Sequence, residues 1–147
     1  MKIREATIDV SVFIDYFLIV RGKEFRHRVA TKLFSELDER ASVIYEPFLF
    51  DIEFLGVMVR YIDLKKAIEA LEKILKYVVV LDEQELHDKA REVSSRTGCR
   101  AVDAYYIATA SITNSVLITN DRIMKKNAEK AGIKAYYLVE EYSKIIS

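Results

Sequence analysis

The chain alternates short runs of β-branched residues with longer stretches whose apolar positions recur every three or four residues. Residues 6–9 read as an apolar strand ending in an acid, Asp9. Residues 10–20 predict a helix of mostly buried side chains, with Ser11 placed to cap it. After Gly22, Phe25, Val29, Leu33 and Leu37 follow at four-residue spacing, one face of an amphipathic helix. Residues 42–45 form a second short strand, and Pro47 suits the first turn of a helix running to about Tyr61. Asp63 caps a further helix, with Leu64, Ala67, Ile68, Leu71, Ile74 and Leu75 as its apolar stripe. Residues 77–81 are a third strand; Leu86, Ala90 and Val93 mark a helix that ends near Gly98. Asp103 opens the next helix, whose small residues Ala104, Ala108 and Ser111 allow close packing. Residues 115–119 suit a strand buried on both faces, and Asp121 follows at its carboxyl end. A lysine-rich helix to about Ala131, a strand at 135–138 and a short helical tail complete the pattern. Strands alternating with helices predict an α/β fold: a central parallel sheet of about four to five strands with helices on both faces.

Composition narrows this picture. A chain of 147 residues, 51% of them apolar, is one domain's worth and can bury a proper core. With four Gly and one Pro there is little room for linkers. The formal charge is zero, so any nucleic-acid partner needs a local basic surface. Cys99 stands alone, which excludes an intramolecular disulfide and fits a reducing cytoplasm. Arg4, Glu5 and Asp9 interrupt the first apolar stretch, so no signal peptide is expected. Residues 10–20, interrupted by Asp15, are too few to span a bilayer.

The chemistry lies in the acids. Asp9, Asp103 and Asp121 each sit at a strand end or a helix start, where open α/β sheets gather their ligands. On the helix predicted at 47–61, Glu53, Gly56 and Arg60 form a narrow polar stripe, and Asp51 lies on another side. A glutamate there is either solvent-facing or part of a polar site. The many apolar residues of that helix (Phe50, Phe54, Val57, Met58) exceed what one core needs and predict a partner or dimer surface. Three or four carboxylates at one point repel, which raises the pKa of some of them. A hard cation at their centre makes sense of the arrangement, because Mg²⁺ and Mn²⁺ take oxygen ligands. A water activated by such ions can attack a phosphodiester in line. His27 and His87 lie on exposed-looking helix faces without metal-ligand spacing, and Cys99 reads as a small buried or half-buried residue. An aspartyl-phosphate receiver is disfavoured, since Asp9-Val10-Ser11 lacks the second acid of a D-x-D pair.

Four blocks, IDVSVFIDYF, EPFLFDIEFLG, VDAYYIATA and LITND, carry a resemblance that spans essentially the full length. The chain resembles a PIN-domain ribonuclease, and within that superfamily the toxin half of a prokaryotic VapBC-type toxin–antitoxin pair. The resemblance implies four acids, Asp9, Glu53, Asp103 and Asp121, binding one or two Mg²⁺ or Mn²⁺ ions. Ser11, Thr119 and Asn120 would orient acids or substrate. The last two blocks, correctly spaced and in order, are specific; the second, which assigns Glu53 rather than Asp51, is degenerate. Val10 departs from the small polar residue common at that place. The implied protein is a cytoplasmic, metal-dependent endoribonuclease, a homodimer held inactive by a cognate antitoxin, with no membrane partner. Arg60, Arg100 and Arg122 are candidates for RNA contact, with Lys125, Lys126 and Lys130 on the following helix. The alternative is a PIN-like module that binds RNA or protein without cutting. Retention of four mutually repelling acids argues against it.

Overall fold

A computed structural model describes residues 2–146. The first strand, β1 (Glu5–Ile8), runs into α1 (Val10–Phe17) and α2 (Glu24–Glu39) before β2 (Val43–Pro47). α3 (Phe50–Met58) and α4 (Leu64–Leu75) lead to β3 (Val78–Leu81), then α5 (Glu83–Thr97) and α6 (Ala101–Thr113) to β4 (Val116–Thr119). α7 (Arg122–Lys130) returns to β5 (Ala135–Tyr137), and α8 (Leu138–Glu141) with a 3-10 turn ends the described chain. The five strands form one sheet in the order β3-β2-β1-β4-β5, every pair parallel. Helices flank this sheet, as the alternating pattern predicts. Among the described residues no helix is long and apolar enough to cross a membrane.

The order decides where ligands go. The chain leaves β1 towards β2 on one side and later adds β4 on the other, so crossovers diverge between β1 and β4. The carboxyl ends of these two strands are therefore the switch point at which such sheets take ligands in a crevice. Past their first residues both strands are buried: Ala6, Ile8, Leu117 and Ile118 are 0% exposed.

Several local devices match the sequence. Asp63 caps α4 by accepting from Lys66 N, and Asp82 forms a reciprocal capping box with Glu85 at the start of α5. Gly98 ends α5 at φ 69°, a left-handed turn that strains any side chain. Other expectations are corrected. The first helix stops at Phe17, because Leu18 is already extended and the exposed β-branched pair Ile19–Val20 leads into the turn at Gly22. Asp9, not Ser11, is the N-cap residue of α1, and Ser11 lies inside the helix. Pro47 is the last residue of β2, paired in register with Leu81, where the lack of an N–H costs little. Residues 77–81 and 135–138 each lose one residue from the strand, and Leu138 starts α8 instead.

The excess apolar surface assigned to α3 also proves to be core. Phe50, Phe54 and Met58, spaced by four, are buried, while Val57 is half-buried. Phe50 meets Phe13 edge-on at 5.0 Å, Phe54 meets Phe17 at 5.8 Å, and Phe13 meets Phe34 at 4.8 Å. These rings tie α1, α2 and α3 together. The apolar residue of α3 that does face solvent is Ile52, 72% exposed. Phe54→Ala should therefore destabilise the protein by about 3–5 kcal/mol, whereas Ile52→Ala should change stability by less than about 0.5 kcal/mol. Urea denaturation checks both, and equal effects would mean the face is misassigned.

Candidate functional site

Asp9 follows β1 directly, and its backbone N–H donates to Ile118 O at 2.9 Å, which joins it to β4. Its carboxylate is buried, and one oxygen, Oδ2, takes hydroxyl donors from Ser11 at 2.7 Å and Thr119 at 2.8 Å. Both hydroxyls also accept from backbone: Ser11 Oγ from Asn120 N, and Thr119 Oγ1 from Asp121 N. Two side chains thus lace the end of β1 to the segment 119–121. Asn120 is fixed on further sides, its amide donating to Asp15 at 2.6 Å and its Oδ1 accepting from Val139 N. Arg26 reaches the Asn120 carbonyl and also pairs with Asp15 at 3.1 Å. Nothing local in the sequence connects Asp15, Arg26 and Val139 to this site.

Asp103 lies in the first turn of α6, buried, with the exposed Arg100 beside it at 3.4 Å. Asp121 caps α7, its Oδ1 accepting from Ile123 N and Met124 N. Glu53, the fourth residue of α3, accepts from the phenol of the buried Tyr106 at 2.8 Å. Asp51 turns its carboxylate to Ile52 N. Glu46, near the end of β2, is 0% exposed and was not among the expected acids. Its only sequence signal is a glutamate within an otherwise apolar strand, just before Pro47.

Electrostatics tie these acids into one group. Burial pushes Asp9 up to about 6 against its two hydroxyl donors, and the charges of Asp121 and Asp103 push the same way. Glu53 rises to about 7 through burial first, then through Asp9 and Asp103, with the Tyr106 bond opposing. Asp103 is raised by burial, with Arg100 opposing and Asp121 adding. Burial, rather than the mutual repulsion expected from sequence, is the larger cause in each case. Glu46 is pushed well up by burial and by Asp9 and Glu53.

The flanking cations divide. Arg100 stands against Asp103, 78% exposed. Arg122 turns away to Glu140 and lies over the Tyr137 ring. Arg60 is exposed beyond the end of α3, so the stripe expected with Glu53 does not continue as helix. Lys125 pairs with Glu141, while Lys126 and Lys130 are exposed. His87 is exposed and Cys99 half-buried, as expected; His27 is half-buried, its ring nitrogen against Asp15 O.

Residues 6–130 match the PIN domain family. The chain belongs to that family. PIN domains are in general nucleases that use divalent metal ions. Among solved structures the chain is similar to PAE2754 from Pyrobaculum aerophilum, with 20% identity, a TM-score of 0.61, and 95% of this chain and 90% of that one covered. It is also similar to a domain of a functionally unknown protein from Methanocaldococcus jannaschii, at 24% identity and a TM-score of 0.53, covering 92% and 91% of the two chains. No curated protein sequence matches. At these identities the structural likeness concerns the PIN fold alone.

Among the described residues, no three His, Cys, Asp or Glu side chains close round a common point as a metal cage. The reason is visible in their partners: Asp103 leans on Arg100, Asp121 on the α7 amides, and Glu53 on Tyr106. The donor chemistry of this PIN domain nevertheless fits a hard dication. The set is all carboxylate oxygen, Asp9 and Asp103 are buried with Glu53 and Asp121 half-buried, and a buried Glu46 oxygen has no hydrogen-bond partner among the described residues.

Acids whose folded pKa lies above the unfolded value bind more protons when folded, so they weaken the fold as pH rises through that interval. Asp9 and Glu53 place the interval between about 4 and 7. Glu141 is the contrary case. Its partial burial is outweighed by donors from Lys125, Tyr137 N and Lys144, which hold it at about 2, and it acts only below the usual carboxylate range. In EDTA, the protein should gain about 2 kcal/mol of stability on acidification from pH 8 to pH 5, and Asp9→Asn should shrink that gain. Urea denaturation across pH measures it; stability that climbs with pH over this range would contradict the assignment.

Proposed function

We propose that the protein is a metal-dependent endoribonuclease that hydrolyses RNA phosphodiester bonds, and the toxin half of a toxin–antitoxin pair. The observation that carries the reading is the electrostatic coupling of Asp9, Glu53, Asp103 and Asp121 at the crevice between β1 and β4. These four would hold one or two Mg²⁺ or Mn²⁺ ions. When bound, such ions lower the pKa of a water and stabilise the attacking and leaving oxygens of an in-line displacement.

The chain's own residues supply orientation and charge. Ser11 and Thr119 keep Asp9 Oδ2 occupied and so turn its other oxygen free for a ligand. Tyr106 holds Glu53 by one oxygen in the same way. Arg100, 78% exposed beside the buried Asp103, would offer its guanidinium to a phosphate oxygen. The water oxygen forms the new bond to phosphorus while the bond to the leaving sugar oxygen breaks, and that oxygen takes up a proton.

A homodimer and a cognate antitoxin belong to the same proposal. Ile52, Tyr61, Leu64 and Tyr77 stand exposed on α3, α4 and their flanks, an apolar surface that a protein partner would cover. The alternative is a non-cleaving module, in which Asp121 serves only as the cap of α7 through its Oδ1.

Cleavage separates the two readings. Purified protein with Mg²⁺ or Mn²⁺ should cut RNA, and EDTA or Asp103→Asn should stop it. Activity surviving both would belong to a contaminant, and RNA binding without cleavage would favour the alternative. Within the nuclease reading, Glu53→Gln should lower the rate by orders of magnitude, while Asp51→Asn should leave it nearly unchanged. The reverse result would transfer the second acid to Asp51.

A further inference from the structure

We propose that Glu46 is a fifth carboxylate of this site, facing the same divalent cation as Asp9 and Glu53 and strengthening its binding. The inference rests on the metal-dependent reading above and extends it to a residue outside the four family acids.

The position begins in the sheet. The β1–β2 ladder runs from Glu5–Val43 to Thr7–Tyr45 and stops there. The next amide, Ile8 N, donates instead to Glu46 Oε2 at 3.3 Å. The Glu46 side chain therefore folds over the carboxyl end of the sheet, beside the residue that precedes Asp9. It is fully buried, and its other oxygen, Oε1, has no hydrogen-bond partner among the described residues. A buried carboxyl oxygen without a partner is costly, and native structures rarely keep one without a use.

Capping Ile8 N does not explain a carboxylate, because a neutral amide oxygen would accept that bond equally well. The charges acting on Glu46 are those of Asp9 and Glu53, both acids, and its own field reaches Tyr106, the residue that holds Glu53. Asp9 and Glu53 thus both act on a fully buried Glu46 on which no lysine or arginine acts. A dication offsets such a group, and the free Oε1 is the atom left to meet it or a water it carries.

The test measures Mn²⁺ binding to the full chain by electron paramagnetic resonance of the free ion, for the wild type, Glu46→Gln and Asp103→Asn. Glu46→Gln keeps the acceptor for Ile8 N and removes the charge. It should weaken Mn²⁺ binding about tenfold to a hundredfold, with the metal-free melting temperature not lowered. Unchanged affinity in Glu46→Gln, alongside a loss in Asp103→Asn, would overturn the role of Glu46 and leave the metal-dependent reading standing. A wild type that binds no Mn²⁺ would overturn both. Should Glu46→Gln fail to fold, carbon-13 spectra of the wild type decide. The Glu46 carboxyl carbon, assigned through bonds from its own backbone, should move when Mg²⁺ saturates the site. A signal that stays put while that of Asp9 moves would refute the proposal.

Discussion

One buried charge constrains this structure. Asp9 sits where β1 ends, against β4, and a carboxylate in that place is tolerable only with strong donors. Ser11 and Thr119 provide them, and each hydroxyl passes the constraint on by accepting from the backbone of Asn120 or Asp121. Asn120 then engages Asp15 of α1, Arg26 of α2 and Val139 of α8. Elements far apart in the chain are thus fastened round the first acid. The apolar strands beneath give this lacing a rigid base, and the Phe13–Phe34–Phe50 contacts hold the helices that carry Ser11, Asp15 and Arg26.

The cost of the arrangement falls on the same residues that give it chemical meaning. Burial raises Asp9, Glu53, Glu46 and Asp103, so the folded protein concentrates groups that would rather be neutral. A scaffold optimised for stability alone would replace them with apolar residues or pair them with buried cations. Here the cation at hand is Arg100, mostly in solvent, whose screened attraction relieves Asp103 only in part. Likeness of fold to two solved structures at 20–24% identity shows how little of the chain the topology needs; strand order does the positioning, and function depends on the groups placed there.

The amino-acid sequence by itself determined the succession of elements, because helix and strand periodicity, caps and turns act over a few residues. Asp63, Gly98 and Asp103 were legible for that reason, as were the parallel sheet and the two acids, Asp9 and Asp121, that follow β1 and β4. Tertiary structure decided what depends on distant contacts. Pro47 reads as a helix opener until β3 is seen pairing with it. Ser11 reads as a cap until Thr119, 108 positions beyond it, is found sharing its acceptor, with Thr119 and Asp9 themselves 110 residues apart. Phe50 and Phe54 read as a docking face until Phe13 and Phe17 cover them. Glu46 was invisible for the same reason: a glutamate in a strand carries no local signal of burial. Its significance arises only when β1 and β2 lie side by side and the ladder ends one amide short.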